Sequence, residues 1–278
     1  MSPAPPGFNY ADFFGIKTVD AAAIFAALYL ILLGYYLLQA KRHPTYVLIT
    51  LSVFCAIRTS AFAIRTALAA SDTAGQNLGL YIAEQVLFSV GFVGLLYSSY
   101  TLVLDRELLL NSGERQRTLS KIMQERRYMR IVMMAGVACG IVGINDTSSG
   151  TTPGDISTGN ALLKAGAAIF FALTVIQGIF TVIYTKHEIL AARNDDSNSE
   201  KQKPLGATHG GYILCAISVL LLIREAFAVA TVGNIAKSGN EHLWYPLVAV
   251  PEILAVILYA APGLVPPRSD LNQGQSQA

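Results

Sequence analysis

The sequence predicts an all-α, polytopic membrane protein: a bundle of seven transmembrane helices with the N-terminus outside and the C-terminus cytoplasmic. Three observations predict it. The chain is 53% hydrophobic and only 14% charged, against ~25% charge in an average soluble domain, and its mean hydropathy is +0.47. Its apolar residues gather into seven runs, most of them reaching the ~20 residues an α-helix needs to cross hydrocarbon. Its basic residues fall almost wholly on one side of those runs. The alternating ~10-residue segments of a membrane β-barrel are absent.

Taken in order, the start "MSPAPPGFNYADFF" lacks the basic n-region of a cleavable signal peptide. Residues 1–18 are therefore expected as an extracellular segment, and the first run, Asp20–Ala40, as a retained signal anchor. Thr45–Ala69 and Leu78–Val103 read as the second and third spans. The fourth, Met129–Ile144, is short at 16 residues, and its Gly136-x-x-x-Gly140 spacing with Gly143 lets a neighbouring helix approach closely. Asn160–Thr185, His209–Val232 and Leu243–Leu264 complete the set. The seven-helix domain is thus placed at 19–265, and the polar end 266–278 is expected as a disordered cytoplasmic tail.

Orientation follows from the lysines and arginines. Fourteen of the 20 fall on one side, among them Lys41, Arg42, Arg106, Arg126, Arg127, Arg130 and Lys186; the other side has only Lys17 and Lys237. Basic loops stay cytoplasmic, which puts the N-terminus outside. The segment "NDTSSGTTPGDISTGN" then reads as an outer loop with a glycosylation sequon at Asn145. Asp105–Arg130 mixes seven basic with four acidic residues. It reads as a solvated helix held by anionic headgroups, or alternatively as a docking surface for a cytosolic partner.

Full charges inside hydrocarbon are costly, and such residues are functional candidates by default. Arg58, Arg65, Glu84, Arg224, Glu225 and Glu252 all fall within spans two, three, six and seven, from mid-membrane outward. Arg58 and Arg65 are seven residues apart, nearly two helical turns, and so share a face. The expectation is that the three arginines and three glutamates pair between helices; Arg224 and Glu225, about 100° apart on their helix, need not pair with each other. Two readings stay open: an ion-pair network that fixes helix packing, or a polar, water-accessible cavity that binds something amphiphilic. Pro251, beside Glu252, frees a backbone carbonyl one turn earlier. Gln85, Ser89 and Gln177 are placed to line the same interior, while Lys164 lies close enough to the surface to snorkel.

Other chemistries are excluded by what is missing. His43, His187, His209 and His242 all avoid the membrane interior, and no two have metal-ligand spacing on one helix. There is no P-loop, no G-x-S-x-G elbow and no H-E-x-x-H, so neither an enzyme nor a cofactor or metal is expected. Cys55, Cys139 and Cys215 lie in spans, leaving no loop disulfide.

The stretches "FCAIRTSAFAIR", "AEQVLFSVGFVGLLYSSYTLVLDR", "LLIREAF" and "EHLWYPLVAVPEILAVILYAAPG" resemble fungal seven-transmembrane proteins of the lipid-translocating exporter type, or an allied uncharacterised fungal family. In the exporter-type family a sixth-span arginine accompanies a His-Glu and an acidic seventh span. Arg224 and Glu252 look like counterparts, the His-Glu is reversed as Glu241-His242, and further sixth-span charges are missing. Asp105-Arg106-Glu107 follows the third span where rhodopsin-like receptors carry Asp-Arg-Tyr, but no N-P-x-x-Y closes the seventh. The exporter resemblance implies movement or sensing of amphiphiles. The expected function is binding or translocation of an amphiphilic lipid or small molecule through a charged, outward-facing cavity in the plasma membrane or another secretory-pathway membrane. The alternative is a seven-helix receptor that signals through its basic loop. The expected partners are membrane lipids and an amphiphilic ligand, with no nucleic acid, and a cytosolic protein at 105–130 in the receptor case.

Overall fold

The computed structural model describes residues 7–110, 126–149, 152–194 and 205–267. Its regular structure is helical throughout these residues, and seven of the helices are long and apolar enough to cross a membrane. The spans are Val19–Arg42, Tyr46–Ala70, Leu78–Leu110, Arg126–Ser149, Pro153–Asn194, Gly210–Thr231 and Glu241–Tyr259. Helices are the solution hydrocarbon demands, because each backbone N–H and C=O finds its partner within its own segment. Spare hydroxyls bond the carbonyl one turn back: Thr59 to Cys55 and Thr66 to Phe62, both at 2.8 Å.

Consecutive spans pack side by side. The third helix lies inside the bundle, with 67% of its most apolar stretch buried, while the first is peripheral at 17%. Accordingly Ile24, Leu28, Ile31 and Leu38 of the first helix are exposed as a lipid-facing stripe. Tyr29 and Tyr36 on its other face are fully buried, and Tyr36 donates to the Val256 carbonyl of the seventh helix at 2.5 Å.

The fourth span corrects the sequence reading. It runs 24 residues to Ser149 rather than ending at Ile144, and the fifth helix begins at Pro153. The expected outer loop is therefore mostly helix. Thr152 and Asp155 form a reciprocal cap, Asp155 N–H to Thr152 Oγ1 at 3.1 Å and Thr152 N–H to Asp155 Oδ2 at 3.0 Å, with Pro153 at the first helical position. The Asn145 sequon consequently sits in the last turns of a helix, and Thr147 bonds back to the Gly143 carbonyl at 2.7 Å. The glycine seam forms as expected. A Cβ on Gly143 would lie 2.9 Å from the Gly159 carbonyl oxygen, and one on Gly166 3.1 Å from that of Gly136.

The seventh helix absorbs its prolines through a π-helical stretch, Tyr245–Ala249, in which the Val250 N–H reaches the Tyr245 carbonyl. Pro246 and Pro251 cannot donate, so the ordinary ladder is interrupted here. Such π segments concentrate at functional sites.

At the end where the second helix finishes and the third begins, the N-terminal residues are packed rather than free. Ala11 and Ile16 are buried with Leu68 and Tyr81, and the Phe14 ring stacks on Tyr81 with centroids 4.1 Å apart. Gly15, at φ +80°, turns the chain against the Gly239 backbone, where a Cβ would collide. The opposite end carries Lys41, Arg42, Arg126, Arg127, Arg130 and Lys186. Of the basic segment expected to dock lipid or a partner, residues 111–125 lie outside the described residues, as does the tail from 268.

Candidate functional site

All six charged residues singled out in the spans come together in hydrogen-bonded pairs. Glu252, one residue past Pro251, is the centre. Its two oxygens each accept from Arg58, Nε to Oε2 and Nη2 to Oε1, both at 2.7 Å. This fork-to-fork geometry is the strongest form of the guanidinium–carboxylate contact. Arg58 sends its third donor, Nη1, to the Leu87 carbonyl at 3.1 Å. Both side chains are 0% exposed. The Phe54 and Phe88 rings flank the guanidinium, 5.0 and 4.7 Å from Cζ to the ring centres. Gly91 makes room for it, since a Cβ there would lie 2.8 Å from Nη1.

Arg224 extends the cluster to the sixth helix. Its Nε donates to Glu252 Oε1 at 3.1 Å, and its Nη1 pairs with Glu225 next door in sequence. The latitude to avoid that neighbour goes unused. The Phe92 ring lies 4.1 Å from its Cζ.

Nearly two turns further along the second helix, Arg65 donates Nη1 to Glu84 at 2.7 Å, and Gln85 Nε2 holds the second Glu84 oxygen at 2.7 Å. Arg65 Nη2 reaches Glu241 at 3.4 Å, and Trp244 stacks over the guanidinium at 4.1 Å. The Arg65 Nε is buried without a hydrogen-bond partner. Glu241 in turn takes the Thr18 N–H at 2.9 Å, tying the N-terminal segment to the site.

Of the two readings left open by the sequence, the paired network is what the described residues form, and it is buried. Arg58, Glu84 and Glu252 are fully buried, Glu225 and Arg65 nearly so, and Arg224 keeps only an edge exposed. Gln85 joins the site as expected, whereas Gln177 does not. Its amide bonds Ser99, Thr181 and Ser218 at 2.5–3.0 Å, a separate polar knot joining helices three, five and six. Ser89 instead lies against Gly140, and Lys164 is exposed away from the network.

Two charged residues that the sequence reading leaves outside the cluster of spans turn out to be paired in the interior. Glu241 opens the seventh helix, where a carboxylate beside the orphan N–H groups looks like ordinary surface chemistry. Arg106 reads as a member of the basic loop, yet it is buried. It donates Nη1 to the carbonyls of Gly206 at 2.7 Å and Leu264 at 3.3 Å and lies 3.7 Å from Glu188. The signal for it was present in Gly210 and Gly211: a side chain at Gly210 would overlap the Arg106 guanidinium, and the Gly211 N–H binds Glu188 Oε2 at 2.6 Å. Asp105 beside it pairs with Arg126 at the start of the fourth helix.

A bundle of seven apolar helices stitched internally by arginine–glutamate pairs defines a multi-pass integral membrane protein. Within that class, the chain belongs to a family described as a domain of unknown function, DUF7702, whose model matches residues 22–265, the first through the seventh span. No curated protein and no solved structure matches the chain.

Proposed function

We propose that the protein binds an amphiphile with an amine-bearing or zwitterionic headgroup at the charged cluster and moves that headgroup through the membrane. The observation that carries the reading is the balance of the cluster. Arg58, Arg65 and Arg224 face four carboxylates, Glu84, Glu225, Glu241 and Glu252. The surplus carboxylate lies at the Arg65–Glu241 end, and an ammonium there would complete the pairing that a low-dielectric interior requires. Release of the Thr18–Glu241 contact would free an oxygen of the surplus carboxylate for such an ammonium. The π-helical stretch Tyr245–Ala249 lies within the first two turns after Glu241, the kind of helix irregularity that concentrates at functional sites. The resemblance to exporter-type proteins points the same way, with the site facing the outer leaflet and no catalytic step.

The test is reconstitution into vesicles with fluorescent lipids. Amine-bearing and zwitterionic lipids should cross faster than in empty vesicles, and Glu241→Gln should slow them. A second reading, sensing, is favoured by the third helix alone, which bears Glu84 at one end and the Asp105–Arg126 and Arg106–Glu188 contacts at the other. If no lipid class moves and an amphiphile instead promotes capture of a cytosolic protein, the receptor is the better account.

A further inference from the structure

We infer that the basic end of the bundle holds a second binding site, a cleft that takes the phosphate of an anionic phospholipid headgroup. The cleft has a volume of about 270 Å³ and lies between the last two turns of the first helix and the turn that follows the seventh. That is just below the ~300–1,000 Å³ of pockets that enclose whole small ligands. It suits a headgroup whose tails remain outside.

Its polar lining points to an anion. The first helix contributes Tyr35 and Gln39, one turn apart on one face, and His43 follows as its C-cap residue; among the described residues no Asp or Glu lines the cleft. Gln39 Nε2 donates one N–H to the Tyr35 hydroxyl at 3.3 Å, and that hydroxyl donates to the Ala260 carbonyl at 3.4 Å, so the donors left for the cleft are the second Gln39 N–H and the His43 ring. Lys41 and Arg42, exposed in the same last turn, raise the local positive potential. Across the cleft, Gly263 at φ +80° folds the chain back, and Pro262, Pro266 and Pro267 build an apolar wall with no N–H of their own.

The approach for the tails is on the page as well. The exposed stripe Ile24, Leu28, Ile31 and Leu38 follows helical spacing and brings Tyr35, itself 38% exposed, to the rim of the cleft. Chains lying along that stripe would put a headgroup at the level of Gln39 and His43. A lipid fits both halves of the site; a water-soluble phosphate ester fits only one.

The site lies at the opposite end of the bundle from the Arg65–Glu241 cluster, and its test reads binding rather than movement. The full chain is purified in detergent, loaded with phosphatidic acid, phosphatidylserine or phosphatidylcholine, and its retained lipid counted by native mass spectrometry. Retention of the anionic lipids should exceed that of phosphatidylcholine. The double change Gln39→Ala and His43→Ala should lower it at least about tenfold, the loss of roughly one charge-assisted hydrogen bond. A second variant, Pro267→Trp, adds bulk at an exposed residue of the cleft wall without touching a donor and should have the same effect while the thermal melt stays unchanged. Glycerol phosphate is the soluble arm: it should fail to displace bound phosphatidic acid at equal concentration. Equal retention of all three lipids, retention unchanged in both variants, or displacement by glycerol phosphate alone would overturn the inference.

Discussion

At the residue scale the decisive group is Glu252, which accepts from two arginines on two other helices. A buried ion pair adds little over an apolar substitute, but breaking one by removing a single partner strands a charge. Arg58→Leu should therefore lower stability by about 3–5 kcal/mol, read as the thermal midpoint in detergent. Arg58→Lys should recover little of this, because an ammonium cannot reproduce the fork that reaches Glu252 Oε1, Oε2 and the Leu87 carbonyl together. A lysine variant that melts like the parent would show that charge alone, and not the planar geometry, holds the seventh helix to the second. That these residues had to pair is legible in the sequence, since an isolated charge at such depth is prohibitive. Which oxygen meets which nitrogen is not, because neighbouring positions on a helix differ by about 100° and only the packed bundle fixes each helix's rotation.

At the scale of the element, glycines separate two kinds of position. Gly143 and Gly159 lie in the seam between the fourth and fifth helices, where an added Cβ meets backbone at 2.8–2.9 Å, whereas Gly178 faces open space. Gly143→Val should destabilise by about 1–3 kcal/mol through overpacking, while Gly178→Ala should be neutral or gain up to ~1 kcal/mol of helix propensity. Equal melts for the two variants would remove the seam from the account of stability. The small-xxx-small pattern was visible in the sequence; of its partner glycines Gly166 lies in the fifth span, while Gly159 was hidden in a stretch that reads as loop. Thr152-Pro153-Gly154-Asp155 combines the cap and first-turn proline that start a helix. Beside so many Ser, Thr and Gly residues it passes for turn chemistry.

At the scale of the molecule, each contact set fastens a different group of helices. The charged cluster joins the second, third, sixth and seventh, and Gln177 joins the third, fifth and sixth. Arg106 clasps the third helix to the fifth and to the turns around residues 206 and 264. The asymmetry of Lys and Arg along the chain predicts that the Arg106 end faces the cytoplasm. A protease-cleavable tag at the start of the chain should then be cut on intact cells, and one at its end only after permeabilisation. The opposite pattern would reverse the orientation and place the Arg65–Glu241 cluster nearer the inner leaflet.

The sequence by itself determined the number of apolar crossings and the need for arginine and glutamate to pair within the bundle. Those properties depend on single segments: a helix's hydrogen bonds are internal, and the cost of a charge in hydrocarbon is set by where it stands. Only the tertiary structure decided that Glu241 and Arg106 belong to the interior, that Arg224 pairs with its neighbour Glu225, and that the charged cluster is buried. Glu241 and Arg106 stand at span ends, where a charge can as well be solvated as buried. What buries them is the chain that folds over them, Thr18 at one end and the turns around residues 206 and 264 at the other, and those contacts join residues more than 90 positions apart.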